Sequence, residues 1–229
     1  MISNYIKSGI VELFDYRGKP HPQLKAYNDC YQKYNKIYKW LIFYDVDEFI
    51  YLKDFNNLKT FLNDDRFKKC YRIKLNWIHH TDNNLLYYDN RTVKERFPER
   101  ESRARGIKKG KIASGIKSIL WGGLKININC VHNLFGNIPG CNGFGKYIPN
   151  FGISVKESDF EYYYIDHYAT KSTEEFIQKL KRTDAYNEND INLKKIDVYF
   201  IINKITKEKL DLIERETKYN MSKYREQIK

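Results

Sequence analysis

The chain has 229 residues, of which 41% are apolar and 16% are aromatic, so it can bury a hydrophobic core and is not a disordered tail. Its 41 Lys and Arg against 29 Asp and Glu give a formal charge of +12, which favours a polyanionic partner: nucleic acid, an anionic membrane surface or a phosphate-bearing substrate. No run approaches the roughly 18 apolar residues of a membrane span. The first residues also lack the basic and apolar regions of a signal peptide, so we expect a cytoplasmic protein without a transmembrane segment.

Short strands alternate with helices in the first 90 residues. Residues 10–14 have a strand pattern and residues 23–34 a helical composition. Residues 40–44 form a continuous apolar run, which is typical of a strand covered on both faces in a mostly parallel sheet. A short helix over residues 57–62 and an alternating strand over residues 70–77 follow. This order predicts an α/β sheet.

The last third of the chain combines one strand with several helices. Residues 162–168 predict a strand that ends in polar residues, and Ser172 with Glu175 forms a capping box that opens a helix to about residue 186. Residues 196–228 predict one or two amphipathic helices. We therefore expect an α/β domain over residues 1–185 and a helical extension over residues 186–229.

The four cysteines predict neither a zinc site nor a redox motif. Cys30, Cys70, Cys130 and Cys141 lie far apart, without a C-x-x-C pair. Because we expect a cytoplasmic protein, we predict that all four are free and mostly buried thiols.

An acidic cluster directly follows the apolar run of residues 40–44. Asp45 and Asp47 flank one apolar residue, and Glu48 comes next. Open α/β sheets bind ligands at the carboxyl ends of their strands, and paired carboxylates there suit Mg²⁺ or Mn²⁺. Three acids in four residues can equally form a solvated turn. The apolar segments on both sides favour a binding site, because carboxylates held between them need a partner.

Residues 40–50, with the sequence WLIFYDVDEFI, resemble the W-I-x-F-x-D-x-D-E-F segment of glycosyltransferase family 92 and related GT-A-fold enzymes. Further segments resemble that family in the same order, and these are residues 5–11, 23–30, 91–97 and 166–172. The resemblance implies a GT-A-like (Rossmann-like) mixed sheet flanked by helices, with C-terminal helices. It also implies that the fold is shortened at its amino end, since a donor-binding strand–helix–strand unit would precede Tyr5.

The resemblance further implies a metal-dependent glycosyltransferase that moves a sugar from a nucleotide-diphosphate donor, a UDP-sugar, to a hydroxyl group of a glycan acceptor. Asp45 and Asp47 would bind Mn²⁺ or Mg²⁺ together with the donor diphosphate. His167, at a predicted strand end, is a further candidate metal ligand. Glu48 would support the turn.

A basic, glycine-containing segment over residues 96–111 has three open interpretations. It can be a solvated loop, a nucleic-acid arm, or a loop that closes over the donor diphosphate. For the third, we select Arg103, Arg105 and Lys108 as donor-binding residues. A second glycine-rich segment, residues 136–145, lacks a phosphate-loop pattern and is interpreted as a connection.

The strand over residues 70–77 leads into candidate acceptor residues. Trp77 can stack on a sugar ring, while His79 and His80 can bind hydroxyl groups. Adjacent residues of a strand point to opposite faces, so we expect one interior and one exposed histidine. Asp82 and Glu95 are candidate bases that would deprotonate the acceptor hydroxyl.

Two other classes of function remain open at this stage. The chain can be a non-catalytic remnant that binds glycan or a partner, or, as the less favoured reading, a basic nucleic-acid-binding protein or metal nuclease. The missing amino-terminal unit predicts an exposed strand edge at residues 9–14. We therefore expect a homo-oligomer, or a partner chain that supplies that unit.

Overall fold

The fold is a mixed β-sheet flanked by helices, as the sequence predicts. The computed structural model describes residues 2–101, 115–130, 132, 138, 140–148, 160–182 and 191–228. In this part of the chain the sheet has seven strands: β1 (Trp40–Ile42), β2 (Glu48–Leu52), β3 (Arg72–His79), β4 (Ile116–Trp121), β5 (Gly140–Cys141), β6 (Tyr147–Ile148) and β7 (Tyr163–His167). The described α-helices are α1 (Ser3–Lys7), α2 (Pro22–Tyr34), α3 (Leu58–Leu62), α4 (Val93–Arg96), α5 (Thr173–Leu180), α6 (Ile191–Ile202), α7 (Lys207–Glu216) and α8 (Ser222–Arg225). None of these helices is long and apolar enough to cross a membrane.

Strand β3 is the centre of the sheet. It pairs antiparallel with β4, which pairs antiparallel with β1. On its other side β3 pairs in parallel with β5 at its start and with β7 at its end. Strand β7 then pairs antiparallel with β2, and β5 with β6. Residues 136–145, which the sequence predicts to be a connection, therefore contribute a strand, β5.

The apolar run of residues 40–44 is covered on both faces, as predicted, but its pairing is antiparallel. Trp40 and Ile42 pack against one hydrophobic cluster, whereas Leu41 and Phe43 belong to another. Among the described residues β1 pairs only with β4. The prediction of a mostly parallel sheet around this strand is therefore wrong.

The predicted strand over residues 10–14 is also wrong. The backbone N–H groups of Ile10 and Val11 both donate to the carbonyl oxygen of Tyr5, so local bonds after α1 take the place of strand pairing. Ile10 is 75% exposed and Leu13 is 70% exposed. Without a strand at residues 9–14, the structure does not provide the edge through which we expected self-association.

Local signals predict correctly where three helices begin. Helix α2 begins with Pro22, a residue suited to the first turn, and the side chain of Asn57 caps α3 by accepting from the N–H of Thr60. The capping box of Ser172 and Glu175 is present at the start of α5. This helix ends at Leu180 rather than near residue 186.

The C-terminal helices share a hydrophobic core with α5. One cluster joins residues from α5, α6, α7 and α8, namely Phe176, Ile177, Leu180, Ile196, Tyr199, Phe200, Leu210, Leu212, Ile213, Met221 and Tyr224. This core spans both sides of the boundary predicted between residues 185 and 186. The helices of the predicted extension therefore bury apolar surface against the α/β part.

Cys70 and Cys141 form a disulfide, so the prediction of four free thiols is wrong for this pair. Residue Ile73 of β3 lies opposite Cys141 of β5, and this pairing brings together two cysteines separated by 71 residues. Cys30 and Cys130 are free. The cytoplasmic location stays a prediction.

Reduction of this disulfide should lower the free energy of unfolding by about 2–4 kcal/mol, because the cross-link restricts the unfolded chain. Urea unfolding with and without a thiol reductant measures the change. The variant Cys30→Ser/Cys130→Ser keeps the disulfide and should show the same shift as the wild type. Equal unfolding midpoints with and without reductant would contradict a stabilising disulfide.

Candidate functional site

The strand register brings a group of polar side chains to one face and one end of the sheet. Glu48 pairs with His167, and His167 pairs with His79. On the same face, Lys117 of β4 lies opposite Leu75, two residues before Trp77. The resulting group comprises Glu48, Trp77, His79, Lys117 and His167. Each of these residues comes from the sheet, so their relative positions are fixed by strand pairing.

The acidic cluster forms a tight turn between β1 and β2. A carboxylate oxygen of Glu48 accepts from the backbone N–H of Asp45 at 3.1 Å, and the N–H of Glu48 donates to the carbonyl oxygen of Asp45 at 3.1 Å. The N–H of Tyr168 donates to the carbonyl oxygen of Asp47 at 3.0 Å. Glu48 thus supports the turn, and the carboxylates of Asp45 and Asp47 remain partly exposed.

Asp45 and Asp47 face different partners. The ammonium group of Lys117 lies 3.1 Å from Asp45 Oδ2, and Gln23 Nε2 donates to Asp45 Oδ1 at 3.3 Å. Asp47 Oδ1 lies 4.0 Å from His167 Nε2, and Asp47 Oδ2 lies 3.9 Å from Lys171 Nζ. Asp45 is therefore held by a close ion pair, whereas Asp47 is not.

Burial sets the protonation of the site. His167 is only 8% exposed, and burial, followed by the nearby His79, lowers its pKa well below the ordinary value, so its imidazole is neutral. Burial raises the pKa of Glu48 to about 7, against the opposing effect of Lys117. Burial alone would lower the pKa of Lys117, but Tyr27, Glu48 and Asp45 raise it above its usual value.

Asp47 and His167 are close enough to share a divalent cation, although neighbouring octahedral positions, about 3.0 Å apart, would require the two side chains to move about 1 Å closer. Two ligand atoms that each lie about 2.1 Å from one ion are at most about 4.2 Å apart; the two atoms here are 4.0 Å apart. A carboxylate oxygen and a neutral imidazole nitrogen form a donor set that Mn²⁺ can accept. Within the described residues, no group of three or more His, Cys, Asp or Glu side chains forms a complete metal site. Water molecules and phosphate oxygens of a donor would occupy the other coordination positions of the ion.

The candidate acceptor residues separate into two environments. The ring of Trp77 lies 4.3 Å from that of His167, and the ring of His79 lies 5.0 Å from that of His167. Trp77 and His79 therefore lie beside the acidic turn. His80 lies on the opposite face, where its Nδ1 is 2.7 Å from the carbonyl oxygen of Phe97 and its Nε2 is 2.7 Å from Asp166 Oδ1.

The prediction of one interior and one exposed histidine is wrong, because His79 and His80 are both buried. Both rings are covered at this point, because the ring of His79 lies 5.0 Å from that of His167 and the ring of His80 stacks on that of Tyr168 at 4.2 Å. Since both ring nitrogens of His80 are occupied within the protein, the structure gives this residue a structural role rather than an acceptor-binding one.

The two candidate bases have structural partners. Asp82 is only 1% exposed, and its Oδ2 atom lies 2.6 Å from Lys209 Nζ and accepts from the hydroxyl of Tyr199 at 2.7 Å. Glu95 completes the capping box of α4, where it accepts from the N–H of Thr92 at 2.8 Å. The partners of both carboxylates are therefore structural ones, a buried lysine for Asp82 and the start of α4 for Glu95.

Three predicted donor-binding residues, Arg103, Arg105 and Lys108, lie outside the described residues. Lys117 and Lys171 are the cations that the described structure places against the two aspartates. Neither lysine is among the site residues predicted from the sequence, although Lys171 lies in the family-like segment 166–172. Lys117 is at an ordinary position of an alternating strand, and its sequence context carries no sign that it is buried.

Comparison with known proteins gives two findings. The model of glycosyltransferase family 92 matches residues 1–223. The chain is also similar to galactan beta-1,4-galactosyltransferase GALS2 of Arabidopsis thaliana, with 38% identity over 58 residues. The matched segment covers 23% of this chain and 11% of that relative, so the chain spans only a small part of the relative's length.

Proposed function

Because the chain belongs to glycosyltransferase family 92, whose model covers nearly its whole length, we propose that it transfers a sugar from a UDP-sugar to a glycan hydroxyl with the help of Mn²⁺. One observation carries this proposal. The acidic turn places Asp47 4.0 Å from the neutral imidazole of His167, at the end of strands and beside an aromatic side chain.

In this function Asp47 and His167 hold the metal ion, with Mg²⁺ as the alternative to Mn²⁺. The bound ion supplies positive charge that stabilises the nucleotide diphosphate as it leaves. Lys171, whose ammonium lies 3.9 Å from Asp47, adds positive charge at the rim of the same site. The carboxylate would bind the cation, and the lysine would attract the diphosphate. The charges of the site therefore suit a complex of a metal ion with a diphosphate better than an uncharged ligand.

Trp77 and His79 are the residues that we propose for sugar recognition. Trp77 is partly exposed and packs against His167, so a sugar stacked on its ring would lie close to the proposed metal site. Sugar transfer joins the acceptor oxygen to the anomeric carbon while the bond from that carbon to the diphosphate breaks, and the proton of the acceptor hydroxyl leaves with the departing diphosphate. Exclusion of water by this aromatic wall would favour transfer over hydrolysis.

The similarity to a galactan galactosyltransferase suggests galactose as the first sugar to test. The experiment measures UDP release from UDP-galactose, UDP-glucose and UDP-N-acetylglucosamine, with and without β-1,4-galactan oligosaccharides and with Mn²⁺ present. We expect acceptor-stimulated UDP release with at least one donor and its loss on addition of a chelator. Absence of UDP release with every donor, from a protein shown to be folded, would contradict the proposed activity.

A further inference from the structure

Lys117 is a buried cation in the middle of the candidate site. It is only 1% exposed, and a lysine is almost never buried to that extent without a partner. Its ammonium lies 3.1 Å from Asp45 Oδ2 and 3.5 Å from Glu48 Oε1. It also lies 6.0 Å from the centre of the Trp77 ring. Lys117 therefore contacts the acidic turn from inside the sheet.

We propose that Lys117 is a positioning residue that divides the roles of the two aspartates. Its ammonium and the side chain of Gln23 contact the two carboxylate oxygens of Asp45, whose side chain is 42% exposed, so that Asp47 is the carboxylate left to bind the metal of the donor. This inference rests on the proposed function. It differs from the interpretation of the sequence, in which Asp45 and Asp47 bind the metal as equals.

The contacts separate two effects of Lys117. One is electrostatic support for Glu48, which is almost completely buried and whose Oε1 atom has no hydrogen-bond partner. The other is the position of Asp45, which is reached by the shorter of the two ion pairs. Since Glu48 also accepts from the backbone N–H of Asp45, displacement of Lys117 would loosen the whole turn.

Two variants distinguish these effects. The change Lys117→Met leaves Glu48 buried without its cation and should destabilise the fold. The double change Lys117→Met/Glu48→Gln removes both charges, so it should recover the urea unfolding midpoint. If Lys117 positions Asp45, the double variant should still bind UDP and Mn²⁺ at least about tenfold more weakly than the wild type, as is typical when a residue that orients a metal site is removed. Lys68→Met is the matched control, since its ion pair with Asp65 is largely exposed.

Calorimetric titration of UDP in the presence of Mn²⁺ measures this affinity. Recovery of both affinity and midpoint in the double variant would overturn the positioning role, and so would wild-type affinity in Lys117→Met. If the wild-type protein itself fails to bind, the proposed function has failed. The role of Lys117 is then decided by a cycle of Lys117→Met, Asp45→Asn and their combination in urea unfolding. If the combined variant loses as much free energy of unfolding as the two single variants together, Lys117 and Asp45 are not coupled. A smaller loss in the combined variant would support the coupling.

Discussion

Replacing Asp47 by Asn should reduce UDP release from the donor sugar by at least about 100-fold, because the substitution removes the proposed carboxylate ligand and its charge. The fold should be retained. The carbonyl oxygen of Asp47, which accepts from Tyr168, is unchanged, and the side chain makes no close ion pair. Steady-state rates of UDP release, with the urea unfolding midpoint as a check, measure both parts of this prediction.

The matched control is Asp65→Asn, because Asp65 is a largely exposed carboxylate whose ion pair with Lys68 is outside the site. Its rate should equal that of the wild type. His167→Ala should resemble Asp47→Asn in activity, since both remove one member of the same pair. A folded Asp47→Asn protein with an unchanged rate would exclude Asp47 as a metal ligand.

Replacing Asp82 by Ala should lower the free energy of unfolding by about 3–5 kcal/mol, since it leaves the buried ammonium of Lys209 without its counter-ion. Asp82 also accepts from Tyr199 and, at 2.9 Å, from the N–H of Asn84. The substitution therefore breaks a network that fastens the C-terminal helices to the loop after β3. Chemical unfolding of the two proteins measures the loss.

The double variant Asp82→Ala/Lys209→Met removes both buried charges and should recover part of the stability that Asp82→Ala loses. Asp65→Ala, at an exposed position, should leave the unfolding midpoint almost unchanged. A catalytic base would behave differently, because its removal would abolish activity and spare the fold. Wild-type stability combined with lost activity in Asp82→Ala would therefore restore the interpretation of Asp82 as a base.

The parts of the fold that depend on neighbouring residues could be predicted from the sequence. The acidic turn follows directly from its local pattern, since an apolar run ends at Asp45 and polar backbone contacts close the turn at Glu48. The capping box of Ser172 and Glu175 is likewise a signal that spans only three residues. Both features form as expected.

Features that depend on distant parts of the chain were missed. The sequence suggests Asp82 as a candidate base, but Asp82 is buried against Lys209, which a C-terminal helix supplies. In its local sequence Lys117 is an ordinary strand lysine, and only the fold brings it against Asp45 in the turn between β1 and β2. The disulfide depends on the pairing of β3 with β5. Burial and ion pairing at these positions are decided by strand order, which local patterns do not specify.

At residues 10–14 the local pattern predicts a strand that the structure does not form. An apolar pattern permits a strand but does not supply a neighbour for it, and in the described structure the N–H groups of Ile10 and Val11 bond locally to Tyr5. Strands need a partner of suitable register as well as a suitable composition. The oligomer expected from that edge stays a prediction without its structural basis.

Titration of UDP into the wild-type protein, with Mn²⁺ and then with excess chelator, tests the central claim most directly. If Asp47 and His167 hold the metal of a nucleotide-sugar donor, heat of binding should be observed with Mn²⁺ and should disappear with the chelator. Asp47→Asn should show no binding under either condition. UDP binding of equal strength with and without Mn²⁺, or no binding by the folded wild-type protein, would contradict a metal-dependent nucleotide-sugar site.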